Sequence, residues 1–184
     1  MTRFTPPDPT ALTDAQRAVV DEVRAGRRGT VPANVMAWLP NPELARRAAA
    51  LGELVRYDTA LPPRLSELAI LVVARHWHCA YEWAIHAAEA ARAGVALTTV
   101  EAIASGGYPD GLATDERLVY RMAGELVAGG SVHDALYEQA QHTLGDVAVG
   151  DLIAVVGYYT LVAFTLNVRG VPAPDGAPVL PAPG

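Results

Sequence analysis

The chain contains no lysine: all fourteen of its Lys-plus-Arg cations are arginines. Schiff-base catalysis and lysine nucleophiles are therefore excluded. Cysteine occurs once, as Cys79, so no disulfide can close within the chain. Phenylalanine occurs only twice, and no segment alternates apolar and polar residues between turn signals as a half-buried strand would. A glycine-rich phosphate loop is absent, which leaves nucleotide binding without support. There is also no basic run or basic helix face. With a net charge of −6, a nucleic-acid partner is not expected. The opening Met1-Thr2-Arg3-Phe4-Thr5-Pro6-Pro7 lacks an apolar signal core, and the expectation is a cytoplasmic protein.

What is present is a globular composition, 51% hydrophobic and 18% charged over 184 residues, enough for one sizeable core. Residues 1–11 are Pro-rich and expected to be extended. Residues 12–170 read as a single helical domain, and residues 171–184, with five prolines, as an extended tail that lies across a neighbouring surface. Start and stop signals divide the domain. Thr13 and Gln16 form a capping box, and that helix stops at Gly26. Val35 to Leu39 is a short apolar turn. Asn41-Pro42 opens a helix to about Tyr57. Pro63 opens another to about Trp77, and a further helix covers about His78 to Ala93, joined to it or separate. Thr98, Thr114 and Ser131 open three more, Ser131 as a cap with Asp134 three later. The last helix spans about Val147 to Asn167. Within it, Leu152 to Val168 carries no charge. That run is at the short limit for a membrane span and reads instead as a helix buried in a core or subunit interface. The fold class is all-α, with about seven or eight helices.

Chemistry concentrates in His76-Trp77-His78-Cys79-Ala80-Tyr81-Glu82-Trp83-Ala84-Ile85-His86. On a helix, residues three and four apart are neighbours, so Cys79, Glu82 and His86 share a face. A carboxylate beside an imidazole raises its pKa and orients the ring, which suits acid–base work. Glu67 lies twelve residues before Cys79 in the apolar stretch Leu65 to Leu71, where a carboxylate must find a partner or change its pKa. His78, Glu82 and His86, at i, i+4 and i+8, are the candidate metal set. HExxH is absent, however, and no distal ligand can be assigned, so neither a metal nor another cofactor is expected. Cys79 reads equally as a reactive thiol or as a small buried hydrophobe. His133 and His142 read as solvated. Tyr158, Tyr159 and Asn167 can offer polar groups to a pocket, with interface packing preferred for Tyr158.

The stretch Leu61-Pro62-Pro63-Arg64-Leu65-Ser66-Glu67-Leu68-Ala69-Ile70-Leu71, followed by Cys79-Ala80-Tyr81-Glu82-Trp83-Ala84-Ile85-His86, resembles the carboxymuconolactone decarboxylase family, which includes the alkylhydroperoxidase-D-like proteins. The resemblance covers about residues 45 to 105, and Gly157 to Asn167 resembles the family's last helix. It implies an all-α fold assembled as a trimer or hexamer. It also implies one of two chemistries: cofactor-free decarboxylation of a carboxylated lactone, or hydroperoxide reduction by a C-x-x-C pair with an upstream Glu and a downstream His. Carried across, Glu67 matches that Glu, Cys79 the first Cys and His86 the His, while Glu82 stands where the second Cys should be. A carboxylate there forms neither a sulfenic acid nor a disulfide.

The reading that follows is an enzyme with Glu67, Cys79, Glu82 and His86 at the centre of an apolar pocket. Trp77, Tyr81 and Trp83 would line it, and Arg64 or Arg75 would receive a substrate carboxylate. Acid–base decarboxylation of a small carboxylated or lactone-like molecule is favoured. Alternatives are a single-Cys alkylhydroperoxidase, with an external thiol resolving Cys79, and a non-catalytic oligomeric small-molecule-binding protein. The expected partners are a small-molecule substrate and further copies of the chain, with no membrane.

Overall fold

Ten consecutive residues, Leu65 to Ala74, are buried, and the remaining helices pack around them. In this computed structural model, residues 3–182 are described. Among them are nine helices and no strand: α1 (Asp14–Ala25), α2 (Ala33–Trp38), α3 (Pro42–Tyr57), α4 (Pro63–His76), α5 (Ala80–Arg92), α6 (Leu97–Ser105), α7 (Thr114–Gly129), α8 (Asp134–Leu144) and α9 (Asp146–Arg169). The all-α expectation holds. The count exceeds seven or eight because the apolar turn at Val35 is itself a short helix, α2.

Helix α4 is covered by α5, α7 and α9, and α9 also touches α2, α3 and α8. A helix apolar on every face needs neighbours on every face, and α4 has them. α9 is long and apolar enough to cross a membrane by length and composition, but half of its most apolar stretch is buried against the other helices. Ile153, Leu161, Phe164 and Val168 remain exposed along its outer side.

The caps follow the sequence signals in most places. Thr13 and Gln16 close the capping box of α1, and the Asn41 side chain accepts from the Leu44 N–H at 3.2 Å with Pro42 in the first turn of α3. Ser131 does not cap α8. That helix begins at Asp134, with His133 at the cap position. Glu125, reaching over from α7, accepts from the His133 N–H at 3.0 Å and lies 2.9 Å from its ring Nδ1. The carboxylate from α7 thus holds the cap residue's own N–H, and no side chain caps the first turn of α8. The tail has no regular structure as far as residue 182, and its Leu180 is buried in the chain's own core.

The corner between α4 and α5 departs most from the expectation. The chain does not enter α5 at His78. Instead His78 takes the left-handed conformation, φ 49°, one that costs an ordinary L-residue about 1 kcal/mol or more. The Cys79 N–H then reaches back to the Ala74 carbonyl at 2.8 Å, and Cys79 becomes the N-cap residue of α5. The two helices are thereby joined by a three-residue corner.

Close packing is tightest at Gly52 on α3, where a β-carbon would collide with the Tyr158 hydroxyl from α9. Gly150 on α9 faces open space. We therefore expect Gly52→Ala to destabilise the protein by about 1–3 kcal/mol through overpacking. Gly150→Ala should stabilise it by about 0.5–1 kcal/mol through helix propensity. Urea unfolding of the two variants checks this, and equal effects would contradict the packing at Gly52.

Candidate active site

A neutral imidazole has one N–H and one lone pair. His86, however, meets a carboxylate on each nitrogen: Nδ1 lies 2.7 Å from Glu67 Oε2, and Nε2 lies 3.4 Å from Glu82 Oε2. Only the imidazolium can donate in both directions. All three residues are buried, with exposures of 2% for His86, 8% for Glu67 and 6% for Glu82. Burial alone would lower the imidazole pKa, but the two carboxylates outweigh it and lift the value to about 9. Glu67 comes from α4, while Glu82 and His86 come from α5 at helical spacing. The α4–α5 corner therefore sets the geometry.

Glu82 and His86, but not Glu67, face a cavity of about 360 Å3. Arg28 and Asn34 enter its wall from before and within α2, Arg56 from the last turn of α3, and Tyr158 and Tyr159 from α9. The His86 ring meets Tyr159 edge to face at 4.9 Å. Arg28 is steadied by donating to the Gly52 carbonyl at 2.9 Å. Burial opposes the charge of Arg56, but the surrounding Tyr159, Tyr57, Glu67 and Glu89 more than compensate, so its guanidinium stays cationic.

The expected site residues divide clearly. Glu67, Glu82 and His86 are brought together, and Tyr81 lines the cavity. Trp83 does not, being a core side chain at 2% exposure. Trp77 packs edge to face on His76 and Phe164 and donates to Thr160 at 3.2 Å. Arg64 is held by Asp115 and Glu116 at 2.7 and 2.6 Å, away from the cavity. Arg75 lies against His78 Nδ1 at 3.3 Å. Asn167 donates to the Trp77 carbonyl at 2.7 Å rather than into the cavity. The set His78, Glu82, His86 is not a helix face, because His78 stands in the corner outside α5. Among the described residues, no three His, Cys, Asp or Glu side chains are grouped to hold a metal ion. The cations at the cavity, Arg28 and Arg56, were not anticipated from the sequence. Only the placing of Arg56 in a final helical turn, one residue before Tyr57, hinted that it flanks a packed surface.

Residues 42–124, from the start of α3 into α7, match the family model described as "Carboxymuconolactone decarboxylase family". By this match the central segment is similar to the carboxymuconolactone decarboxylase family. No curated protein matches the chain. Solved structures share the fold at low identity. An uncharacterized peroxidase-related protein from Ralstonia eutropha JMP134, described as an alkylhydroperoxidase AhpD core, is 21% identical with a TM-score of 0.77, over 95% of this chain and 93% of that one. An uncharacterized peroxidase-related protein from Silicibacter sp. TM1040 is 18% identical with a TM-score of 0.76, over 95% and 92%. The debrominase Bmp8 is 14% identical with a TM-score of 0.73, over 93% and 91%. Within the carboxymuconolactone decarboxylase segment lie Glu67, Cys79, Glu82, His86 and Arg56. Arg28 and Tyr159 lie outside it.

Cys79 is not placed as an activated thiol. It is 1% exposed and absent from the cavity wall. Burial pushes its pKa up to about 12, with the Glu82 charge adding to the shift against backbone N–H groups that oppose it. Only about one thiol in 10^5 is then ionised at pH 7. We expect iodoacetamide to label Cys79 at least about a hundredfold more slowly in the folded protein than in urea at pH 7.5. Rapid labelling of the native state would contradict this environment.

The His86 clamp also fixes the sign of a pH effect. Its pKa rises on folding from 6.5 to about 9. Its stabilising contribution is thus complete below pH 6.5 and is lost as pH rises through about 9. The melting temperature should fall across that window, and a profile that stays flat or rises there would be inconsistent with the clamp.

Proposed function

We propose that the protein is a cofactor-independent acid–base enzyme acting on a small carboxylated or lactone-like molecule, with decarboxylation as the favoured reaction. The observation that carries this reading is the His86 imidazolium, held between two buried carboxylates at the wall of a cavity that Arg28 and Arg56 also reach. The geometry supplies a proton donor and leaves the lone thiol in the core.

In such a reaction the bond between the substrate's carboxylate and its α-carbon breaks. CO2 departs, and the bonding pair moves into the adjacent carbonyl as an enolate. The proton from His86 Nε2, the nitrogen on the Glu82 side, ends on carbon. Solvent then restores the imidazolium. Glu67 orients the ring through Nδ1 and keeps the protonated form available. Its role is to position His86, since Glu67 does not face the cavity.

The test is CO2 release from γ-lactones that carry the carboxylate on the carbon next to the ring carbonyl, followed by product NMR. His86→Asn and Glu82→Gln should each lower kcat by about 10^2 to 10^4, the usual range for a lost general acid. Cys79→Ala should keep kcat within about threefold, because the thiol lies outside the cavity wall. Hydroperoxide consumption that depends on Cys79 would instead establish the single-Cys peroxidase. Ligand-dependent melting without turnover in any form would establish a binding protein.

A further inference from the structure

Among the described residues, one fully buried polar atom of the cavity wall is left without a partner. The Tyr159 hydroxyl is fully buried and makes no hydrogen bond, although the residue is only 3% exposed and lines the cavity. Its neighbour Tyr158 is placed differently, with a hydroxyl 3.5 Å from Asn34 Nδ2. Buried hydroxyls are nearly always paired, and an orphan at a cavity wall points to a group that arrives with a ligand. Burial, reinforced by Glu82, raises the Tyr159 pKa well above its ordinary value. The hydroxyl therefore remains a donor at neutral pH.

Two incompletely satisfied cations stand beside it. Among the described residues Arg56 makes no hydrogen bond. Its nearest acid is Glu89 at 3.6 Å, and Glu89 is engaged more closely by Arg92 at 2.8 Å. Arg28 donates one N–H to Gly52 and retains others. Tyr159 lies close enough to both arginines to feel their charge. The three come from separate parts of the chain, so their meeting on one cavity wall is a product of the fold.

We infer that Tyr159 is the cavity's hydrogen-bond donor for a ligand oxygen, and that Arg56 with Arg28 holds the ligand's anionic group beside it. The ligand class is a small organic anion bearing a carbonyl or lactone oxygen close to its charge. On an enolate-forming path the same hydroxyl meets the oxygen where negative charge develops. The inference rests on the cavity being the substrate site. It adds the recognition groups Tyr159, Arg56 and Arg28, which the acid–base pair does not supply.

The experiment is calorimetric binding of three probes: 5-oxotetrahydrofuran-2-carboxylate, its methyl ester, which removes the charge, and tetrahydrofuran-2-carboxylate, which removes the carbonyl. The wild-type protein should bind the lactone acid at least about tenfold more tightly than the ester and about fivefold more tightly than the carbonyl-free acid, as charged and neutral hydrogen bonds respectively warrant. Tyr159→Phe should abolish the second preference and keep the first, with a ligand-free melting temperature equal to or above wild type. Arg56→Gln should do the reverse to the two preferences. Wild-type failure to bind the lactone acid, equal binding of acid and ester, or an intact carbonyl preference in Tyr159→Phe would each overturn the inference. Binding is read without turnover. Probe discrimination with no CO2 release from any lactone would therefore keep the inference and remove the decarboxylase reading. Turnover with unchanged probe binding in Tyr159→Phe and Arg56→Gln would do the opposite.

Discussion

The fold around the cavity depends on one buried ionic contact, the clamp of His86 between Glu67 and Glu82. Taking a carboxylate out of water costs several kcal/mol, and a buried pair is stable only when every charge finds a geometrically sound partner. Glu67 sits in the middle of α4, where every neighbouring position is buried. It can remain there only because α5 brings an imidazolium to within 2.7 Å. That contact fixes the two helices relative to one another, and the left-handed His78 at their junction is the local strain that this arrangement imposes.

The clamp also explains why the cavity contains arginines. One imidazolium between two carboxylates leaves the trio one negative charge in excess. Arg56 feels Glu67 among the charges that preserve its own, so the excess is answered across the cavity rather than within the trio. Gly52 organises this side by lacking a side chain. Its carbonyl holds Arg28, and the space where a β-carbon would sit is filled by the Tyr158 hydroxyl. One residue on α3 thus sets the positions of a cation and a phenol that are distant in sequence.

Part of this was readable in the amino-acid order. Carboxylates embedded in apolar runs, as at Glu67 and Glu82, announce that partners must exist, and helical spacing puts His86 within reach of Glu82. The caps at Thr13 and Asn41 are local hydrogen bonds, so local sequence shows them. The α4–α5 corner was not readable, because every residue from Arg75 to Tyr81 is compatible with a continuing helix and only tertiary packing forces His78 out of it. The choice among aromatics failed for the same reason: Tyr81 and Trp83 are two positions apart, and which one meets the cavity depends on where α5 begins and what packs against it. Arg28 looks like a loop residue beside Arg27 and Gly29, and Arg56 looks like a favourable charge at a helix C-terminus. Nothing within a few residues of either shows that the chain returns them to one wall. Ser131 misled because a hydroxyl at a cap is the common solution, whereas α8 starts at Asp134 with no side-chain cap and Glu125 of the preceding helix holds the His133 N–H.

Glu82 acts on two titratable neighbours at once. Its charge acts on the lone thiol, since it adds to the burial that holds Cys79 protonated. The same charge works on His86 in the opposite direction, helping to hold the imidazolium. A negative group cannot favour a cation and an anion in one small volume. The Glu82 carboxylate therefore disfavours a thiolate at Cys79 and favours a cation at His86 by a single electrostatic cause.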